Sequence, residues 1–172
     1  MAQATTIDLA RLSLTHGEGR RLEVPVSLPP LELGGQRYAV SPDAVPVHLD
    51  VSRYSSGYAF RLCFLLRIEG PCMRCLAAAA LATEVDAREV AQERTEDEEL
   101  RSPYVEEDEL DLGRWVRDAA VLAVPTRFLC REDCAGLCPV CGESLNGADP
   151  AAHEHEATPD PRWAKLDELK RE

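Results

Sequence analysis

Most of the cysteines occur at spacings that suit a metal ion. Two Cys-x-x-Cys pairs, at 72–75 and 138–141, each supply two thiols from one tight turn. Two more cysteines precede the second pair at intervals of four residues, and a His-x-His follows it. Thiolate and imidazole are ligands that tetrahedral zinc prefers. The sequence therefore predicts zinc ligation by eight residues: Cys72, Cys75, Cys130, Cys134, Cys138, Cys141, His153 and His155.

These eight ligands divide most simply into two tetrahedral sites. The first Cys-x-x-Cys pair would share one ion with Cys130 and Cys134, and the second pair would share another with the His-x-His. With a single site, either the first pair or the two histidines would not be ligands. A redox dithiol and an iron–sulfur cluster are two further uses of such cysteines. Cys63 has no close partner in sequence and is expected to be a packed thiol.

The metal is expected to be structural. A catalytic zinc keeps one position open and lies beside a general base, whereas thiolates and imidazoles can fill every position here. The sequence contains no H-E-x-x-H, no Gly-rich phosphate loop and no G-x-S-x-G. We therefore expect one or two structural zinc ions, no small-molecule substrate and no enzymatic activity. A thiol redox enzyme or a hydrolase is the competing hypothesis.

Alternating apolar residues predict the strands that position the first pair. Residues 45–53 and 58–68 both alternate, and the intervening YSSG is a turn signal, so the two segments are expected to form a hairpin. A third extended run is expected at about residues 76–90, although its alanines weaken the pattern. The first Cys-x-x-Cys then lies at the tip of a hairpin. Residues 7–14 are expected to form a short strand or helical turn, and residues 17–35 are expected to be extended or looped, because prolines and glycines interrupt them.

One amphipathic helix is predicted at residues 112–124. Apolar residues recur at i, i+3, i+4 and i+7 from Leu112, Asp111 can cap the helix, and Pro125 ends it. Trp115 is expected to anchor this helix on the sheet.

The net charge of −12 is concentrated in one segment. Residues 83–112 carry three Arg against thirteen acidic residues, a net of −10. Residues 92–111 are expected to form a solvated acidic loop, with an electrostatic handle for a basic partner as the alternative. Charge of this sign disfavours non-specific binding to nucleic acid. A local arginine patch would still form if the strands aligned seven residues: Arg20, Arg21, Arg37, Arg53, Arg61, Arg67 and Arg74.

The elements together predict an α+β protein. It is mainly an antiparallel sheet with one central helix, a short C-terminal helix and a Cys/His-rich zinc-binding segment. The predicted boundaries are 1–128 for the β-rich domain, 129–158 for the zinc-binding segment packed on it, and 159–172 for the last helix. No apolar run is long enough to span a membrane, and the first residues lack the features of a secretory signal. A cytoplasmic protein with reduced thiols is expected.

The order of these motifs resembles the YceD family of bacteria and chloroplasts. The most specific matches are CMRC at 72–75 and CAGLCPVCG at 134–142, followed by a terminal DPRWAKLDEL. The resemblance covers roughly residues 20–172 and is weakest before residue 45. Many members carry a further Cys-x-Cys near the position where this chain has His153 and His155. That substitution keeps ligands that bind zinc.

The resemblance implies a role in the accumulation of large-subunit ribosomal RNA, and so in ribosome biogenesis. The implied partners are ribosomal RNA or ribosomal and processing proteins. The acidic net charge favours contact through a protein over direct contact with RNA. A zinc-stabilised interaction module for transcription or stress regulation is the alternative function.

Overall fold

The computed structural model describes residues 5–92, 97 and 100–155. Within those ranges the chain is mainly antiparallel sheet with one α-helix. The elements are β1 (Thr6–Asp8), β2 (Gly19–Ser27), β3 (Leu31–Leu33), β4 (Gln36–Val40), β5 (Ala44–Tyr54), β6 (Gly57–Pro71), β7 (Ala78–Gln92), β8 (Val105–Glu106), β9 (Glu109–Asp111) and α1 (Leu112–Ala123). The predicted C-terminal helix lies outside the described residues. No helix in the described ranges is long and apolar enough to cross a membrane.

The large sheet is organised around β6. The predicted hairpin of β5 and β6 is confirmed, with Tyr54 opposite Gly57 at its turn. Alternate side chains of β6, from Tyr58 to Ile68, are buried as their period of two predicts. β7 pairs with β6 along its whole length, from Gly57 opposite Gln92 to Pro71 opposite Ala78. The third predicted strand is therefore confirmed, two residues later than expected.

The other edge of β6 is shared between two partners. The first half of β6 pairs with β5, which in turn pairs with β2. The second half pairs with β4, which forms a hairpin with β3. The first forty residues thus supply strands to this sheet through long-range register. Their prolines and glycines hid that pairing in the sequence, because edge positions tolerate residues that interior strands do not.

The helix packs on the buried face of the sheet as predicted. The Asp111 carboxylate accepts a hydrogen bond from the backbone N–H of Arg114 at 2.9 Å, which caps α1. Trp115 is 3% exposed; its ring lies 6.2 Å from the Phe60 ring in an edge-to-face arrangement and stacks on Tyr104 at 6.0 Å. Trp115 is therefore the anchor that joins α1 to the sheet.

Part of the predicted acidic loop is a hairpin instead. β8 and β9 pair, and β1 adds to β9 with Ile7 opposite Leu110. Leu110 is fully buried, and Val105 packs partly buried against the same core, so these two apolar residues hold the acidic hairpin to the rest of the fold. The expectation of a solvated loop was wrong for residues 105–111, because the partner strand lies about one hundred residues away in sequence.

The arginines of the N-terminal half do not form one patch. The register places Arg21 and Arg61 on the open face of the sheet, with Arg37 and Arg67, whereas Arg20 and Arg53 occupy positions of the opposite face. Two of those on the open face are neutralised by cross-strand aspartates. Arg21 Nε lies 2.6 Å from the Asp50 carboxylate, and Arg61 Nη2 lies 2.7 Å from that of Asp86. These two ion pairs reduce the positive charge of the open face, which disfavours binding of a polyanion there.

Candidate metal centres

The first centre brings together four cysteines from two distant parts of the chain. Cys72 and Cys75 lie in the connection between β6 and β7, and Cys130 and Cys134 follow α1. Their Sγ atoms all lie within 4.8 Å of one another. The Cys72–Cys134 separation is 3.8 Å and the Cys75–Cys130 separation is 3.5 Å. This set, which we call the first centre, is the one that the simplest partition predicts.

Backbone hydrogen bonds fold the connection between β6 and β7 so that both of its thiols point the same way. The N–H of Cys72 donates to the carbonyl of Ala77 at 2.8 Å, and the N–H of Leu76 donates to the carbonyl of Cys72 at 3.0 Å. Leu76 closes the turn with a positive φ of 59°. The N–H of Arg74 points at Cys72 Sγ, 3.4 Å away. The loop thus supplies both ligands and a donor to one of them.

The second centre is local in sequence. Its ligand atoms, from Cys138, Cys141, His153 and His155, also lie within 4.8 Å of one another. Cys141 Sγ lies 3.5 Å from Nδ1 of His153. Cys138 is buried, whereas the other three ligands are partly or fully exposed. His153 ends a 3₁₀ turn, Pro150–His153, that begins where an aspartate side chain caps it.

A short hairpin carries the second Cys-x-x-Cys. The N–H of Cys138 donates to the carbonyl of Glu143 at 2.8 Å, and the N–H of Gly142 donates back to the carbonyl of Cys138 at 2.9 Å. Gly142 has a φ of +75°, a conformation that glycine adopts without strain. An isolated bridge between Leu137 and Ser144 extends the hairpin by one step.

Both sets fit zinc in their dimensions as well as in their donor chemistry. With Zn–S bonds near 2.3 Å and Zn–N bonds near 2.05 Å, a tetrahedral site has S–S edges of about 3.8 Å and S–N edges of about 3.6 Å. The separations of 3.8 and 3.5 Å between sulfurs, and of 3.5 Å between sulfur and nitrogen, agree with these values. They are far longer than a disulfide bond of about 2.05 Å. Each set therefore brings together four side chains that can hold one metal ion.

Comparison with known proteins places this arrangement in a family. Residues 65–170 match the family model described as "Large ribosomal RNA subunit accumulation protein YceD". The chain belongs to the YceD family. The matched range contains all eight cluster residues.

Several mycobacterial proteins resemble this YceD-family chain. Uncharacterized proteins of Mycobacterium tuberculosis (strain ATCC 25618 / H37Rv) and Mycobacterium bovis are 33% identical to it over 177 residues, which is 98% of this chain and 83% of each relative. One from Mycobacterium leprae is 33% identical over 103 residues, or 57% of this chain and 46% of the relative. No solved structure matches the chain.

Hydrogen bonds in this YceD-family site favour thiolates in both centres. Burial raises the pKa of Cys72, but backbone N–H groups of Cys75, Arg74 and Cys130 outweigh it and lower that pKa to about 6. Backbone N–H groups of Cys141 and Val140 lower the pKa of Cys138 to about 6. Thiolates are the form that binds metal, so these backbone donors prepare both centres for an ion.

Cys130 behaves in the opposite way. Its hydrogen bond with Cys75 raises the pKa of Cys130 to about 12. Negative charge on neighbouring sulfurs disfavours a further thiolate, so the raised pKa keeps the proton on Cys130 in the absence of a cation.

Two arginines lie close to the ligands of the first centre in sequence, and both are engaged with other partners. Arg74 Nη2 donates to the carbonyl of Ala135 at 3.4 Å, which ties the first loop to the segment between Cys134 and the second pair. Arg131 instead forms an ion pair with Asp133 at 3.1 Å. Apart from the cysteines themselves, a backbone N–H group and one amide side chain donate to these sulfurs.

That amide side chain belongs to Asn146, which the sequence did not single out. Its Nδ2 donates to Cys134 Sγ at 3.5 Å. Asn146 comes five residues after Cys141 and directly before Gly147, a turn signal that on its own predicts only a loop. The contact of Asn146 with Cys134 depends on the fold of the hairpin, and the spacing of Asn146 from the cysteines in the sequence does not predict it.

Cys63 lies outside both centres. It occupies the open face of the sheet, opposite His48 on β5 and Asp86 on β7. It is half-buried there, and burial raises the pKa of its thiol. Cys63 is therefore a free, half-buried thiol outside the apolar core, which agrees with the expectation of a packed thiol.

Proposed function

We propose that this YceD-family protein is a non-enzymatic zinc protein that supports the accumulation or processing of large-subunit ribosomal RNA. The observation that carries the proposal is the family match over residues 65–170, a range that includes both centres. The family is described by its role in the accumulation of this RNA. The geometry of the chain is consistent with a scaffold whose shape, and not a reaction, performs the work.

The proposed role of zinc is structural. Each centre supplies four protein ligands, so a tetrahedral ion would have no open position for water or substrate. An ion at the first centre would join the β6–β7 connection to the segment after α1, across 62 residues between Cys72 and Cys134. Such a tie stabilises the folded chain because bound metal contributes its binding free energy to folding.

Charge placement favours a protein partner over RNA. The open face of the large sheet is neutralised by the Arg21–Asp50 and Arg61–Asp86 ion pairs. The acidic β8–β9 hairpin presents four consecutive carboxylates at residues 106–109. Acidic surface of this kind attracts basic protein segments, which ribosomal proteins are rich in, and repels phosphates. We therefore propose action in the cytoplasm through a ribosomal or processing protein.

Depletion of the protein tests the proposed function. The ratio of large-subunit to small-subunit ribosomal RNA should fall when the gene is silenced and recover when the wild-type chain is restored. Complementation with Cys72→Ser should fail, whereas the matched Cys63→Ser should restore the ratio, because Cys63 lies outside both centres. An unchanged ratio after depletion would refute the role in large-subunit RNA.

Affinity capture separates this function from the alternative one. The tagged chain should retain large-subunit ribosomal proteins or processing factors, and pre-treatment with ribonuclease should leave that retention intact. Retention of polymerase or a regulatory factor in their place would support the interaction module for transcription or stress regulation.

A further inference from the structure

The hairpin of the second centre returns the chain to the first centre. After Cys141 it passes through Ser144 and reaches Asn146, whose side-chain Nδ2 lies 3.5 Å from Cys134 Sγ. Cys134 is fully buried, and Asn146 is half-buried beside it. One side chain from the second hairpin therefore touches a ligand atom of the first centre.

The orientation of this amide follows from its other partner. The backbone N–H of Ala135 donates to Asn146 Oδ1 at 2.8 Å. Because a backbone N–H is only a donor, the atom that faces it must be the carbonyl oxygen, and the NH₂ group must face Cys134. A donor aimed at a thiolate stabilises its negative charge.

The position of Asn146 depends on the hairpin that precedes it. The N–H of Leu145 donates to the carbonyl of Gly136 at 2.9 Å, and the N–H of Asn146 donates to Ser144 Oγ at 3.3 Å. Residues 141–144 are exposed, so little apolar burial holds this segment. An ion held between its Cys-x-x-Cys turn and the two histidines would add a fastening to the hydrogen bonds of the hairpin.

We propose that Asn146 couples the two metal centres: an ion at the second centre orders the hairpin, and the hairpin then delivers the Asn146 amide to Cys134 and tightens binding at the first centre. By linkage, an ion at the first centre tightens the second to the same degree. The coupling rests on the metal binding in the proposed function, but not on the role in ribosomal RNA.

The coupling is measured by metal competition. Co²⁺ bound to four thiolates absorbs more strongly than Co²⁺ bound to two, so its spectrum reports on the first centre while Zn²⁺ and a chromophoric chelator compete. Asn146→Ala should weaken the first centre by on the order of 10–100-fold, the usual effect of removing an outer-shell donor. Asn146→Asp should weaken it further, because a carboxylate would face the thiolate. Glu143→Gln, in the same hairpin, is the matched control and should leave the affinity unchanged.

A double-mutant cycle separates coupling from local damage. Cys141→Ser disables the second centre and should weaken the first by a factor similar to that of Asn146→Ala. The double variant should then lose little more than either single variant, because both act through the same contact. Far-ultraviolet circular dichroism of each metal-loaded variant checks that the sheet is intact.

Two results would overturn the inference. If Asn146→Ala leaves the metal affinity of the first centre at its wild-type value, the Asn146 amide does not contribute to binding there. If Cys141→Ser leaves the metal affinity of the first centre at its wild-type value, the two centres are not coupled. The zinc proposal is tested separately, by the number of zinc ions that the wild-type protein binds. Two bound ions support it even if the coupling is absent, and no bound ion refutes it.

Discussion

Met73 and Phe128 exchange hydrogen bonds across 55 residues of chain. The N–H of Met73 donates to the carbonyl of Phe128 at 2.9 Å, and the N–H of Phe128 donates to Met73 Sδ at 3.4 Å. Met73 lies inside the first Cys-x-x-Cys, and Phe128 comes two residues before Cys130. This contact aligns the two halves of the first centre before an ion binds. It therefore lowers the conformational entropy cost of metal binding.

Phe128→Ala should therefore destabilise both the fold and the first centre. The Phe128 side chain is 2% exposed and packs edge-to-face on Tyr38 with ring centroids 5.0 Å apart. Its truncation should lower the free energy of unfolding by about 3–5 kcal/mol. Denaturant unfolding of the zinc-loaded protein measures this loss, and competition with a chelator measures the accompanying loss of affinity at the first centre.

Leu122→Ala is the matched control for that experiment. Leu122 is 85% exposed on α1, so its truncation should change the free energy of unfolding by less than about 0.5 kcal/mol. Equal effects of the two substitutions would contradict the assigned role of Phe128.

Metal content should follow the two-centre partition. Protein prepared under reducing conditions and dialysed against a mild chelator should retain two zinc ions per chain, one for each set of four ligands. Cys72→Ser and Cys138→Ser should each retain one, because each removes a ligand from a different centre. Atomic absorption of the dialysed proteins gives these counts.

Cys63→Ser controls for the loss of a thiol in general. It should retain two ions, since Cys63 belongs to neither set. If Cys72→Ser and Cys138→Ser each removed both ions, the centres would not be separable, and a count of one in the wild type would show that one set is not a metal site.

Gly70→Ala should disturb the support beneath the first centre. A Cβ at residue 70 would overlap the ring of Tyr38, the residue against which Phe128 packs. Overpacking of this kind costs about 1–3 kcal/mol of unfolding free energy. Thermal unfolding measures that cost in the metal-loaded protein.

Gly113→Ala tests whether the effect belongs to residue 70. A Cβ at Gly113 would approach no atom closer than 3.4 Å, and alanine favours a helix more than glycine does. This variant should be neutral or slightly more stable than the wild type. A loss as large as that of Gly70→Ala would show that clash with Tyr38 is not the cause.

The Arg21–Asp50 ion pair should make the free energy of unfolding depend on pH in the acid range. Arg21 donates through Nε and Nη2 to both carboxylate oxygens, at 2.6 and 3.0 Å, and this lowers the pKa of Asp50 below its ordinary value of 3.8. The stabilisation that the ion pair contributes is therefore fully present at pH values above the unfolded-state pKa of Asp50. It is lost as the pH falls through the lower pKa of Asp50 in the folded state.

Arg21→Gln should return the pKa of Asp50 towards 3.8 and remove that part of the acid dependence. Titration of the Asp50 carboxyl carbon by nuclear magnetic resonance measures the shift. Arg37→Gln, on the same face, serves as the control and should leave the Asp50 titration in place. A pKa for Asp50 that does not respond to Arg21→Gln would show that the ion pair is not what lowers it.

The sequence by itself determined the elements whose signals are local. Alternation between residues 58 and 68 predicts β6, because the side chains of a strand point to opposite faces in turn. The cap at Asp111 and the break at Pro125 bound α1 through interactions within a few residues. The Cys-x-x-Cys and His-x-His spacings likewise identify ligands, since each pair reaches a common point through one short turn.

Only the tertiary structure decided how these pieces meet. The division of one edge of β6 between β5 and β4, the choice of the open face for Arg21, and the contact of Asn146 with Cys134 all depend on how distant stretches of chain pair. A shift of one residue in pairing moves every side chain of a strand to the other face, and composition carries no record of that choice. The burial of Leu110 inside an otherwise acidic segment follows the same rule, because its partner strand begins at Thr6.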